Sequence, residues 1–185
     1  MRIAVYSGSF NPLHIGHLAI MEYLGKDKEY DWVYLVVSPK NPLKESISAD
    51  SGDERYQAAV EAVRRYPTLH VWVDDIELKM PPPHYTIKTL DLLKEREPDN
   101  DFTLVIGADN LAVIRRWRDY GRILSEYGVA VYPRKGYDLE GLRDDLIKED
   151  SRYSIKTIDA PVVDISSTEI RDGLAEGIDM SGWLM

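Results

Sequence analysis

The 185-residue chain carries 23 lysines and arginines against 32 aspartates and glutamates, a formal net charge of −9, and no cysteine. That length suits one domain with an ordinary core. The missing cysteines exclude disulfides, thiolate metal sites and a cysteine nucleophile, and the acidic balance opposes broad binding to nucleic acid or an anionic membrane.

The elements are taken in chain order. "RIAVYSG" (residues 2–8) is apolar and β-branched and breaks at a glycine, as a strand followed by a turn does. Leu18, Ile20, Met21 and Leu24 lie near helical spacing and predict a helix from about Gly16. "WVYLVVS" (32–38) reads as a strand buried on both faces, and "PKNPLKE" after it as a loop. "SGDERYQAAVEAVRRY" (51–66) predicts a helix capped by Asp53, with Tyr56, Ala59, Val60 and Val63 as its apolar stripe. "HVWVDDI" (70–76) is a third strand, and "MPPPH" (80–84) must be extended and irregular. "YTIKTLDLLKERE" (85–97) is a helix stopped by Pro98. "FTLVIG" (102–107) is a fourth strand, "ADNLAVIRRW" (108–117) begins a helix, and "GVAVYP" (128–133) is a fifth strand. "LEGLRDDLIKE" (139–149) is a helix, "APVVDIS" (160–166) a short last strand, and "SSTEIRDGLAEG" (166–177) a helix whose start is rich in hydroxyls.

Strands alternating with helices predict an α/β fold, a doubly wound parallel sheet with helices on both faces in a single domain spanning 1–185, its helical end at about 165–185. Ligands of such sheets bind at the carboxyl ends of the strands, beside helix N-termini. The unusual pieces fall there: "GSFNPLHIGH", "SPKNPLK", "IGADN", "YPRKG" and "ISSTEIR". No run of about 18 apolar residues exists, and "MRIAVYSG" lacks the apolar core of a signal peptide, so a cytoplasmic location is expected.

Half of the four histidines, His14 and His17, sit three apart around Gly16 at the first strand-to-helix junction. At this composition His-x-Gly-His arises by chance in about 0.5% of chains. Gly8 and Ser9 permit a tight turn with exposed N–H groups, Pro12 stiffens it, and Gly16 permits close approach of a ligand to the backbone. Imidazoles donate to phosphoryl oxygens and, if protonated, offset their charge. Two metal ligands or two incidental loop residues are the competing explanations.

"GSFNPLHIGH" with "ISSTEIR" resembles the nucleotidyltransferase superfamily marked by HxGH and ISSTxIR-type motifs. "SPKNPLK", "YTIKTL", "IGADNL" and "RRW", in that order, are similar to bacterial nicotinate-nucleotide adenylyltransferases. The resemblance runs from about Arg2 to Leu174 and implies a Rossmann-like fold. It implies transfer of AMP from ATP to nicotinate mononucleotide, with Mg²⁺ accompanying ATP, no dedicated metal ligands and room for a homo-oligomer. On the matching positions, His14, His17, Lys44 and Arg171 are the implied catalytic set. Gly8, Ser9, Phe10, Asn11, Gly107, Asp109, Arg134, Ser166, Ser167 and Thr168 are implied ATP contacts, and Tyr85, Thr86 and Trp117 are implied to receive the nicotinate half. Plainer roles remain open at this point: helix caps for Ser166 and Asp109, solvated side chains for Lys44 and Arg134, core packing for Trp117.

Departures are expected too. Leu43 stands where many relatives carry histidine, and "EGIDMSGWLM" lacks the "VxxYI"-like run of the family's further helix. Adenylyltransferases acting on nicotinamide mononucleotide or phosphopantetheine, and a nucleotide-binding regulator without catalysis, are the alternatives. A tRNA synthetase is excluded by the absence of a tRNA-binding domain and a KMSKS-like loop.

Overall fold

A computed structural model describes residues 1–39 and 52–185. Its strands are β1 (Arg2–Gly8), β2 (Trp32–Val37), β3 (Val71–Asp74), β4 (Asp101–Gly107), β5 (Val129–Tyr132) and β6 (Ile155–Thr157). All six pair in parallel in one sheet of order β3-β2-β1-β4-β5-β6. The order reverses between β1 and β4, and the carboxyl ends of those two strands, Gly8 and Gly107, open the crevice where such sheets bind ligands.

The helices are α1 (Ile15–Lys26), α2 (Gly52–Arg64), α3 (Ile76–Lys79), α4 (Thr86–Arg96), α5 (Ala108–Ala112), α6 (Tyr120–Arg122), α7 (Leu139–Glu149) and α8 (Ser167–Ala175). Two apolar layers form on the sheet. Ala4, Tyr6, Leu35 and Ala130 face Met21 and Leu24 of α1 and Ala59 of α2. Ile3, Val5, Leu104 and Val131 face Leu90 and Leu93 of α4, Leu111 of α5 and Leu146 of α7. Alternate strand residues feed opposite layers, so both faces are buried and the strands read as continuous apolar runs.

Several expected elements differ. The last strand is β6 at 155–157, not 160–166: Ile155 pairs with Val129 and Thr157 with Val131. Pro161 has no N–H to give a ladder, and the chain there leaves the sheet edge to cross toward α1. The third strand ends at Asp74, because Asp74 Oδ1 accepts the Ile76 N–H at 3.0 Å and turns the chain into α3. Helix α2 begins at Gly52, so Asp53 lies in its first turn rather than capping it. The stripe of α2 is rotated: its buried residues are Arg55, Ala59 and Ala62, while Tyr56, Val60 and Val63 flank the core. Helix α5 stops after five residues and a 3₁₀ turn, Ile114–Arg116, carries the chain to Trp117. Among the described residues no helix is long and apolar enough to cross a membrane.

Candidate active site

The first turn of α1 is closed by its own histidines. His14 is the N-cap, with extended φ and ψ of −140° and 175°. The Gly16 N–H donates to His14 Nδ1 at 3.0 Å, and the His14 N–H donates to His17 Nδ1 at 3.1 Å. This is a capping box in which two imidazoles replace the usual hydroxyl and carboxylate, and it accounts for their spacing of three. The rings stack with centroids 3.7 Å apart at 27°.

A ring nitrogen that accepts a backbone N–H bears no proton, so each neutral imidazole carries its proton on Nε2. Both histidines therefore keep one Nε2–H donor that the helix does not use. Burial pulls His14 down to about 4, with the Arg134 guanidinium adding to the fall and Glu169 opposing it. Burial pulls His17 down to about 3, helped by His14 and Arg134. At pH 7 both rings are neutral hydrogen-bond donors, and the charged form that would offset phosphate charge is disfavoured in the free protein.

Gly16 is explained differently from its expected role. A Cβ there would lie 2.8 Å from Cε1 and 2.9 Å from Nδ1 of His14. The missing side chain makes room for the His14 ring itself, which is what permits the cap. Phe10, at a left-handed φ of 46°, turns inward and sets its ring edge-on to Tyr6 and His17 at 5.4 and 5.1 Å. A Cβ on Gly8 would approach that ring to 3.1 Å. Ser9 stays exposed on the outer side of the loop.

The two ends of the chain meet at this loop. The Arg171 guanidinium donates through Nη1 to Asn11 O at 2.6 Å and through Nη2 to Thr168 Oγ1 at 3.2 Å. Ser167 Oγ donates to Pro12 O at 2.9 Å. Ser166 caps α8, its Oγ accepting the Glu169 N–H at 3.2 Å. The hydroxyls of this motif thus hold the protein together. The donors left for an anion are the Ser167 and Thr168 N–H groups at the start of α8 and the remaining N–H groups of Arg171.

One cleft holds part of this site. His14, Gly16 and His17 line one side, Tyr6, Tyr132 and Arg134 another, and Pro161, Val162, Val163 and Ile165 the side toward α8, while Ser167, Thr168 and Arg171 are not among its lining residues. Gly107 pairs with Tyr132, and a Cβ on it would come within 3.0 Å of the Tyr132 ring. Asp109 Oδ1 is buried without a hydrogen-bond donor, 3.6 Å from Arg134 Nε, and Arg134 lies over the Tyr132 ring at 5.4 Å. Burial holds both Tyr6 and Tyr132 above the usual phenol range, so their hydroxyls stay neutral.

The cleft lining does not include Tyr85, Thr86 or Trp117. Tyr85 is the N-cap residue of α4 and makes no side-chain cap, and Arg118 sits over its ring at 5.0 Å. Tyr85 and Trp117 are half-buried and pack against the same apolar layer. Lys44 lies outside the described residues. Sequence reasoning missed the floor of Tyr6 and Tyr132 and the apolar wall of Pro161, Val162, Val163 and Ile165, whose composition resembles that of a strand. It also missed Arg55; the signal was an arginine in register with Ala59 and Ala62 on one helix face.

The cytidylyltransferase-like family model matches residues 5–173. A probable nicotinate-nucleotide adenylyltransferase of Flavobacterium johnsoniae is 38% identical over 177 residues, 96% of this chain and 88% of that protein. The chain belongs to the cytidylyltransferase-like family, in its nicotinate-nucleotide adenylyltransferase branch. A probable nicotinate-nucleotide adenylyltransferase of Bacteroides fragilis is 39% identical over 183 residues, 99% of this chain and 87% of that one. The fold is that of the Plasmodium falciparum nicotinic acid mononucleotide adenylyltransferase complexed with NaAD, at a TM-score of 0.80 and 19% identity over 99% of this chain and 90% of that one.

Proposed function

We propose that the protein joins nicotinate mononucleotide to the AMP part of ATP, giving deamido-NAD and pyrophosphate in NAD biosynthesis. The observation that carries this is the meeting of two Nε2–H donors, His14 and His17, with the N-terminus of α8 and Arg171 around one loop. The names of the relatives support the choice of mononucleotide.

The 5′-phosphate of the mononucleotide attacks the α-phosphorus of ATP. A new P–O bond forms, the bond to the β-phosphate oxygen breaks, and pyrophosphate leaves with the electron pair. A phosphate monoester is already ionised at neutral pH, so no general base is needed. What remains is alignment of two anions and stabilisation of charge as it moves. His14 and His17 donate from Nε2 to the triphosphate, His17 nearest the α-phosphoryl. The first turn of α8 and Arg171 receive the β and γ phosphates. Gly8, Ser9, Phe10 and Asn11 line the adenylate, Asp109 accepts from a ribose hydroxyl beside Gly107, and Arg134 contacts adenine or phosphate. The first turn of α4 at Tyr85 and Thr86 receives the nicotinate carboxylate, Trp117 stacks on the pyridinium, and Lys44 holds a phosphate.

The cleft offers the ring N–H groups of His14 and His17 and the Arg134 guanidinium, a set that suits phosphate oxygens rather than a divalent cation. Mg²⁺ would ride on the phosphate oxygens of ATP with water completing its shell, neutralising charge on the triphosphate.

The test is turnover with ATP and, in parallel, nicotinate mononucleotide, nicotinamide mononucleotide and phosphopantetheine, read as pyrophosphate released. Nicotinate mononucleotide should give the highest kcat/KM. Preference for phosphopantetheine contradicts the substrate, and ATP binding with no pyrophosphate from any acceptor contradicts the activity.

A further inference from the structure

Arg55 is a charged residue on the buried face of α2, 3% exposed. Its Nη1 donates to two backbone carbonyls, Ser9 O at 2.6 Å and Ser38 O at 2.7 Å. Those carbonyls belong to different segments. Ser9 begins the loop between β1 and the His14 cap, and Ser38 follows β2 at the entry to the segment that holds Lys44. One guanidinium therefore ties the two strand exits on one side of the crevice.

The tie extends further. The hydroxyls of Ser38 and Ser7 lie 3.0 Å apart, and Ser7 Oγ donates to Glu77 Oε1 at 3.2 Å. Thr89 Oγ1 of α4 donates to the same carboxylate oxygen at 3.0 Å. Glu77 is itself buried. A continuous polar path thus runs from α2, through the ends of β1 and β2, to the helix whose first turn carries Thr86. Burying a guanidinium is costly unless it is well hydrogen-bonded, and the two short charge-assisted bonds to Ser9 O and Ser38 O offset part of that cost.

We propose that Arg55 is a positioning residue for adenylyl transfer, clasping the loop over the adenylate to the exit of β2 so that the two reacting phosphates meet at a fixed separation. It touches neither substrate and acts through the Ser9 and Ser38 carbonyls. The proposal rests on the adenylyltransferase reading above. Displacement of about 1 Å at a reacting centre costs about 10²-fold in rate, so the loss falls on kcat rather than on KM.

The experiment compares wild type, Arg55→Met and Arg55→Lys, measuring kcat, KM for ATP and for nicotinate mononucleotide, and the unfolding midpoint, with rates taken well below that midpoint. Wild-type turnover upholds the adenylyltransferase reading by itself, so the variants test Arg55 alone. Arg55→Met keeps the volume and removes both donors. It should lower kcat about 10²-fold with KM changed much less, and Arg55→Lys, which can reach one carbonyl, should recover part of that loss. A folded Arg55→Met variant with kcat within about threefold of wild type overturns the proposal. So does a loss expressed wholly as KM. If Arg55→Met does not fold, Arg55→Lys decides: a several-fold lower kcat at near-wild-type stability supports the clasp, and an unchanged kcat overturns it.

Discussion

Replacing His17 by alanine is expected to lower kcat by about 10²–10³-fold, the usual cost of one lost donor at a site of developing charge. Two losses combine in that variant. The Nε2–H aimed at the α-phosphoryl disappears, and the His14 N–H loses its acceptor, the His17 Nδ1 now at 3.1 Å. The second loss loosens the first turn of α1 by about 1 kcal/mol, typical of a lost cap. The first is larger and falls on catalysis, so the variant should stay folded at 25 °C while nearly inactive. Circular dichroism and the unfolding midpoint check the fold, and pyrophosphate release checks the rate. Because the free rings titrate at about 4 and 3, wild-type kcat/KM should show no inflection from these groups between pH 6 and 8. Near-normal turnover in the alanine variant removes His17 from the mechanism.

Replacing Gly16 by alanine sets two effects against each other. Glycine inside a helix costs about 0.5–1 kcal/mol relative to alanine, so propensity alone favours the change. The new methyl, however, would overlap the His14 ring at 2.8 and 2.9 Å, with the bonded Nδ1 among the atoms struck. The ring has little freedom, being stacked on His17 at 3.7 Å and 6% exposed. It must rotate away, giving up the 3.0 Å bond from Gly16 N and misdirecting its Nε2–H. The stability terms nearly cancel and the geometric term does not. The unfolding midpoint should move by only a few degrees while kcat falls about 10²-fold. Turnover within about threefold of wild type would show that the cap does not orient the catalytic ring.

Much of this was legible in the sequence because burial on both faces leaves an apolar run that composition reveals. The strands at 2–8, 32–37, 101–107 and 129–132 were marked by β-branched runs and a closing glycine or proline. The histidine pair was legible because its residue types are rare in this chain. The last strand was misplaced because "APVVDIS" is more apolar than "SIKT", yet edge strands are chosen by pairing partners, and Pro161 cannot donate. The path of residues 160–166 is set instead by where Ser166 must stand to bring Ser167 to Pro12. Tautomers were out of reach, since they follow from which nitrogen meets a backbone N–H. The spacing of cap and third helical residue was nevertheless present in "HIGH", and reading it as a capping box would have predicted Nδ1 as the acceptor. The stripe of α2 differs because Arg55, a residue type that normally faces solvent, is buried there with Ala59 and Ala62.

The most direct test is a titration of protein carrying ¹⁵N in its backbone and imidazoles with a non-hydrolysable ATP analogue at pH 7. In the free protein the rings of His14 and His17 should show a protonated Nε2 and an unprotonated Nδ1. Adding the analogue should shift both Nε2–H signals together with the amides of Ser167 and Thr168, all following one binding curve. Movement of the imidazoles without the α8 amides, or the reverse, would mean that the two ends of the chain do not share one triphosphate.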